Sequence, residues 1–364
     1  MKVCLISNQI AEWGKIGGFG TATRAIGKGL AEKGIETCAV IPQRASDGQK
    51  KVEILDGIKV FGTGKIETML SGKIFKEIDA DIYHSQEPTI ASYLAQKACP
   101  NAIHIVTCRD PRSLQDHLIE LRHTNYKRRL LAPVTWYYEA SPWVRKAVQN
   151  ASAVFSPAPT CLNEKIKELY KTNREPKFVP SPIDLPTREP QKSPEPLAIF
   201  VGRWDHRKRI ERFFELAKNS PDVKFMAIGR AHDKAYDRHL RETYGDIPNV
   251  EMPGFIPRFG NPGINDIYQK AWIIVNTSAR EGLPYTFLEA TAFGCAILSD
   301  VNPDEFASSF GYFVEDDDFE KGLAYLLTSE RWQKLGQKAA GFVQETFSEE
   351  NSIREHLKLY KKLT

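Results

Sequence analysis

The sequence predicts an α/β protein of two doubly wound, Rossmann-like halves, and three observations carry that prediction. Short β runs alternate with amphipathic stretches through the first half, the pattern of parallel strands joined by covering helices. A break rich in Pro and charge, PSPIDLPTREPQKSPEPL, interrupts the alternation at residues 180–197. The alternation then restarts. With 364 residues the chain is long enough for two domains of ordinary size.

Taken in order, the first-half strands are KVCLIS, ETCAVIP, IKVFG, DIYHS, AIHIVT and SAVFSPA. Helices are expected between them at TATRAIGKGLAEKG and TIASYLAQKA, where apolar residues recur at helical spacing. Beyond the break, LAIFVG, VKFMAIG, NVEMPG, WIIVNTS and CAILSD read as the strands of the second half. The last segment, FSEENSIREHLKLYKKLT, places Ile353, Leu357 and Tyr360 on one helical face. Domain boundaries are expected at 1–185, 186–345 and a terminal helix at 346–364. Ligands of such sheets sit beyond the carboxyl ends of the strands.

Composition excludes several classes. Hydrophobic content of 41% and charged content of 26% are those of a globular protein, and no apolar run reaches the length of a membrane span. MKVCLISNQ reads as a strand rather than a signal peptide. Six scattered cysteines without a CxxC pair read as small buried hydrophobes in a reducing compartment, which points to the cytoplasm. A net charge of +4 makes no whole-protein case for nucleic acid.

The chemistry concentrates in TSAREGLPYTFLEATAFGCAILS, residues 277–299. A strand ends in a loop carrying Glu281, and Pro284 suits the first turn of a helix. That helix should run from Tyr285 to about Phe293, with Leu288, Ala292 and Cys295 on its apolar face, before Gly294 stops it. If Pro284 is the first helical residue, the cap falls on Leu283, which has no side-chain acceptor for the N–H groups of Tyr285, Thr286 and Phe287. Open donors at the positive end of a helix dipole favour an anion, phosphate above all. Glu281 and Glu289 flank that place. A basic loop, FVGRWDHRKRIERFFELAK, follows the first strand of this half, and its Arg203 and Lys208 would face Glu281. A bidentate guanidinium and a compact ammonium suit two phosphates.

This set resembles glycosyltransferase family 4, retaining enzymes of the GT-B fold that use nucleotide-sugar donors. The resemblance rests on Glu281, seven residues including Gly282-Leu283-Pro284, then Glu289-Ala290 and Gly294, and on strand–Gly202–Arg203–four residues–Lys208. It implies a GT-B architecture in which two Rossmann-like domains face a cleft and the terminal helix crosses back to the first domain. It further implies Arg203 and Lys208 on the diphosphate, Glu281 on the donor sugar, Glu289 on the ribose and the segment Phe255 to Arg258 on the base. Gly282, Leu283, Tyr285 and Thr286 complete the donor loop. Catalytic roles are expected for Glu281, Arg203, Lys208 and Arg109, with no metal and no cofactor besides the nucleotide-sugar co-substrate.

The first half adds a glycine loop, GKIGGFGTATRAIGKG, in which Gly17, Gly18 and Gly20 allow close backbone approach. It is not a dinucleotide fingerprint. Gly18-Phe19-Gly20-Thr21-Ala22-Thr23 lacks the third glycine, and no acidic residue closes the next strand, which runs into Gln43 and Arg44. The resemblance places Gly18 and Gly20 near the donor phosphates, and His84 and Asp110 on the acceptor side. Arg109 stands where many members carry His, which leaves the acceptor open. Asp184 takes the place of the family's hinge Asp without the Asn-Gly that precedes it.

Between Arg112 and Lys146, seven Lys and Arg stand against three Asp and Glu, interleaved with Trp136, Tyr137, Tyr138 and Trp143. Two readings stay open: a surface for anionic lipid or a lipid-linked acceptor at the inner membrane face, or a variable acceptor-side insertion with core aromatics. The reading as a whole is a retaining, hexosyltransferase-like, metal-independent enzyme; base, sugar and acceptor stay open, with lipid-linked and cell-envelope glycans among the acceptors considered. The alternatives are a GT-B epimerase or hydrolase of the same donor, and a non-catalytic nucleotide-sugar-binding subunit. Expected partners are the donor, an acceptor and an anionic membrane, but no nucleic acid.

Overall fold

The computed structural model describes all residues except 14–16, 44–48, 65–71, 125 and 259–262, together with the side chains of 126–128. Gln43 is described and Arg44 lies outside the described residues, as do the side chains of Lys127 and Arg128. The chain forms two compact units. The first comprises Met1–Leu114, Leu131–Ile183 and Thr346–Thr364, and the second Gln115–Leu130 and Asp184–Glu345.

The first unit holds strands β1 (Lys2–Ile6), β2 (Glu36–Pro42), β3 (Val52–Leu55), β4 (Ile58–Thr63), β5 (Ile82–Ser85), β6 (Ile103–Thr107), β7 (Ala153–Ser156) and β8 (Lys177–Phe178). Their order in the sheet is β3-β4-β2-β1-β5-β6-β7-β8. All neighbours pair in parallel except β3 with β4. The central parallel strands are largely buried, as a sheet covered on both faces requires; β1, β5 and β7 are almost wholly buried. β3 was not expected from the sequence. It is the edge arm of a two-residue hairpin whose turn residues, Asp56 (φ 50°) and Gly57 (φ 80°), take the left-handed conformations such a turn demands.

Helix Gly18–Glu32 buries Ala22, Ile26 and Leu30 against this sheet. The terminal helix Glu349–Leu363 lies on it: a Cβ at Gly29 would overlap Ile353 (Cδ1 at 2.6 Å). Tyr360 is fully buried in the same core as Val3, Leu5 and Ile26. The departing and returning strands of chain run side by side here. Ile183 N–H donates to the Phe347 carbonyl at 2.8 Å, and Ser352 Oγ donates to the Pro180 carbonyl at 2.5 Å. The crossing-back of the last helix is therefore part of the first unit's core.

The second unit holds β9 (Leu197–Val201), β10 (Lys224–Ile228), β11 (Val250–Gly254), β12 (Ile273–Asn276), β13 (Ala296–Ser299) and β14 (Gly311–Phe313). They form one parallel sheet in the order β11-β10-β9-β12-β13-β14. The chain starts in the middle, winds outward to β11, then returns to the other side of β9. The crevice between β9 and β12 is thus the topological switch point, where ligands of doubly wound sheets bind. Helix Ile210–Lys218 buries Ile210, Phe213, Phe214 and Ala217 in the core, each large side chain worth about 1.5–3 kcal/mol of burial.

Candidate donor site

Three glycines bring the carboxyl edge of the second sheet together. Gly202, Gly229 and Gly254 follow or end β9, β10 and β11, and Gly229 N–H donates to the Gly254 carbonyl at 2.8 Å. Gly229 has φ 135°, and a Cβ there would collide with the Gly202 carbonyl oxygen, so only glycine fits. Beyond Gly202 the loop is pinned by Trp204, which is buried against Phe214 and lies under the Arg241 guanidinium, 4.9 Å from its ring centre.

The loops after β9 and β12 are bonded to each other across the switch point. Ala279 N–H donates to the Arg207 carbonyl at 2.8 Å. The buried Thr277 hydroxyl donates to the Lys208 carbonyl at 2.7 Å, and Arg209 returns Nε–H to the Thr277 carbonyl at 2.7 Å. Arg209 sits at φ 45° and also pairs with Asp300. This scaffold sets Lys208 against Glu281: their side chains form an ion pair with both partners largely shielded. Arg203 is 40% exposed, with Asp205 at 3.7 Å.

The helix that follows Glu281 runs Tyr285–Ala292. Pro284 is its N-cap (φ −63°, ψ 125°) rather than its first helical residue, so the expected cap at Leu283 is corrected by one position. Phe287 N–H is also not open, since it donates to the Pro284 carbonyl at 3.0 Å. No side chain caps the helix, and no acidic residue stands in its first turn, so its positive end faces the loop of Glu281, Gly282 and Leu283. Leu288 and Ala292 are buried as expected. Cys295 lies beyond the helix, after Gly294 (φ 77°) turns the chain toward β13, and is buried there.

Glu289 is held from two sides: Arg258 pairs with one oxygen and Tyr268 Oη donates to the other at 3.1 Å. Arg258 also reaches Asp184 at 2.9 Å and lies over the Tyr285 ring, 5.8 Å from its centre. Phe255, just past β11, is 46% exposed, with the Arg230 guanidinium 5.9 Å from its ring centre, a flat face open for stacking.

Sequence reasoning missed a second charge cluster in this unit. Arg280 pairs with Asp116 and with Glu120, both at 3.1 Å, and Arg207 reaches the same Glu120 oxygen at 2.9 Å. Arg207 and Arg280 are thereby engaged by these acids, while Lys208 is paired with Glu281 and Arg203 lies near Asp205. No local pattern signals these pairs, whose members are 87 to 164 residues apart.

The first unit holds the other predicted residues. Helix Gly18–Glu32 starts at Gly18 with no side-chain cap, and Gly20 packs on the chain at Ile10 and Ala11, where a Cβ would come within 3.2 Å of Ala11 N. His84 is fully buried, with Nδ1 2.6 Å from Tyr360 Oη and Nε2 2.7 Å from Thr107 Oγ1. Arg109, at 6% exposure, donates to Ser181 Oγ at 2.8 Å and to Gln86 Oε1 at 2.5 Å. Asp110 follows it, half-buried. His84 thus ties two strands of the sheet to the terminal helix.

Burial, with His356 and Arg109 adding repulsion, holds the His84 imidazole well below the usual histidine value; burial likewise brings His356 down from 6.5 to about 4. Both rings stay neutral in the folded chain and gain protons on unfolding once the pH drops under 6.5. The His356 contribution to stability is therefore full above that pH and is lost as pH falls toward 4, and that of His84 is lost in the same direction. Unfolding in urea near pH 5 should show about 2 kcal/mol less stability than near pH 7 from His356 alone, at about 1.4 kcal/mol per pH unit. His356→Gln should flatten that slope; an unchanged slope would mean that the ring is not held neutral.

Residues 184–340 match the family described as "Glycosyl transferases group 1". No curated protein matches the chain. Among solved structures, the chain is similar to sucrose-phosphate synthase from Thermosynechococcus elongatus, with 16% identity over 100% of this chain and 99% of that one and a TM-score of 0.74. A pneumococcal O-GlcNAc transferase solved with UDP and GlcNAc shares 11% identity over 99% of each chain, with a TM-score of 0.71. Anabaena HepE solved with UDP and glucose shares 13% over 100% of each chain, with a TM-score of 0.66. At such identities the likeness shows the fold, and the fold is GT-B.

Proposed function

We propose that this chain, whose residues 184–340 match the group 1 glycosyl transferases, moves a hexosyl group from a nucleoside-diphosphate sugar to an acceptor with retention at the anomeric carbon. One observation carries the reading: the Lys208–Glu281 ion pair, set at the switch point by bonds between the two loops and followed by an uncapped helix N-terminus. Lys208, Arg203 and that helix end supply positive charge where a diphosphate leaves, which is electrostatic stabilisation of developing charge. Glu281 carries the donor-sugar hydroxyls and holds Lys208 in place before the donor arrives. The departing phosphate accepts the acceptor's proton on the same face of the sugar, so no separate base is required. Phe255 offers the base a stacking face, and Glu289 the ribose an acceptor through lone pairs left over from Arg258 and Tyr268.

A thermal-shift panel of nucleoside diphosphates and nucleotide sugars tests the reading, because a ligand of the folded state raises its melting temperature. UDP comes first in the panel, since two of the similar structures were solved with it. A flat panel would overturn the proposal. Release of free sugar or an epimer without acceptor would favour a hydrolase or epimerase instead.

Glu289→Ala should weaken nucleoside diphosphate binding by about 1.5–3 kcal/mol, the worth of a hydrogen bond to a charged group. Because Arg258 loses one of its carboxylates, some folding stability should go with it. Glu289→Gln keeps an oxygen for Tyr268 and should recover the stability but not all of the affinity. Calorimetric titration beside urea unfolding separates the two losses. Equal affinity in all three proteins would remove Glu289 from the site.

A further inference from the structure

We infer that the helix Tyr126–Glu139, together with Trp143, is a docking face for an anionic bilayer. Among its described side chains, residues 129–139, none is buried. Only Ala132, Trp136 and Glu139, on one face, are half-buried, so the described part of the helix draws little of the packing that gives helices in proteins most of their stability. This one is weakened further by Pro133 in its interior, yet it exposes several large apolar residues. Leu131, Val134, Tyr137 and Tyr138 are 62%, 66%, 59% and 41% exposed. At about 100° per residue they fall within an arc of about 120°, one continuous apolar stripe. Trp143, at the start of the next helix, is 46% exposed.

Charge selects the occupant. Lys127, Arg128 and Arg129 open the helix in the sequence and Lys146 follows it, exposed. Each of the three acids in the segment is already engaged: Asp116 and Glu120 by Arg280, and Glu139 by Arg112. Of the described basic residues here, Arg122, Arg129 and Lys146 are exposed, on the same segment as exposed leucine, valine, tyrosine and tryptophan. That combination is the composition of an interfacial helix lying among acidic headgroups. The segment itself does not span: among the described residues no helix is long and apolar enough to cross a membrane.

The test uses the full chain and vesicles of phosphatidylcholine with or without a one-third share of phosphatidylglycerol. The parent should sediment with the anionic vesicles at low ionic strength and come off at high salt, where screening shortens from about 10 Å at 0.1 M to about 3 Å at 1 M. Val134→Asp combined with Tyr138→Asp should lower the bound fraction roughly tenfold or more, since two apolar side chains no longer enter the interface. Lys127→Ser, Arg128→Ser and Arg129→Ser together should remove the preference for phosphatidylglycerol. Val134, Tyr138 and Arg129 are exposed, and an unchanged UDP-induced thermal shift in each variant would show that fold and donor site are intact. Failure of the parent to bind anionic vesicles at low salt would overturn the inference. So would a parent dimer in light scattering that Val134→Asp turns into a monomer, since the stripe would then belong to a second copy.

Discussion

Lys208→Ala should lower kcat by about 10²–10³-fold, the cost of removing one donor aimed at developing charge. The effect should fall on turnover more than on donor binding, because charge grows on the diphosphate only as the glycosidic bond breaks. Arg203 and the helix end remain to hold the ground state. The structure adds a second cost. Lys208 neutralises Glu281, so its removal leaves an unpaired carboxylate beside the arriving phosphates. Glu281→Ala should behave differently: turnover falls while nucleoside diphosphate affinity is kept or improved, since the ammonium is released to the phosphate. Steady-state kinetics and calorimetric titration of both variants check this. Equal losses of diphosphate affinity in the two would show that the carboxylate and the ammonium do not divide the work as argued.

Parts of the fold and site were legible in the sequence for physical reasons that can be named. Parallel strands buried on both faces are mostly apolar, so β1, β9 and β12 announce themselves as short, largely apolar runs. β8 and β14 are two and three residues long, too short to carry a period. β3 did have a signal, the Asp56-Gly57 pair between β-rich runs, which goes unread when only parallel strands are sought. In the candidate site, Arg203, Lys208 and Glu281 could be picked out because the motif spacing places them in loops that follow strands. Their pairing was not, since an ion pair between residues 73 apart depends on how the loops close. The cap of helix Tyr285–Ala292 moved by one residue because proline suits either side of a helix start. Nor could the sequence show that Arg258 and Tyr268 hold Glu289, since their contacts too depend on how the chain closes.

Arg109 gives the second large effect. Its guanidinium is a buried cation whose donors go to Ser181, in the segment leaving the first unit, and to Gln86, just after β5. Arg109→Ala removes two charge-assisted hydrogen bonds worth about 1.5–3 kcal/mol each, so stability should fall by several kcal/mol. Arg109→Lys keeps the charge but not the fork that serves two acceptors, and should retain part of both stability and activity. Arginine stays protonated at working pH and takes no proton from an acceptor, so the parent pH–rate profile should carry no limb from this position. Arg109→His should not create one near pH 6.5 either. An imidazole placed there would be buried beside His84 and His356, whose own protons are driven off by the same burial. Loss of activity in step with loss of stability, with an unchanged pH profile, is the result expected of a positioning cation. A gain of activity with a histidine-like limb in Arg109→His would mean that the site wants a base at this place, that the parent is a weakened catalyst, and that a nucleotide-sugar-binding subunit describes it better.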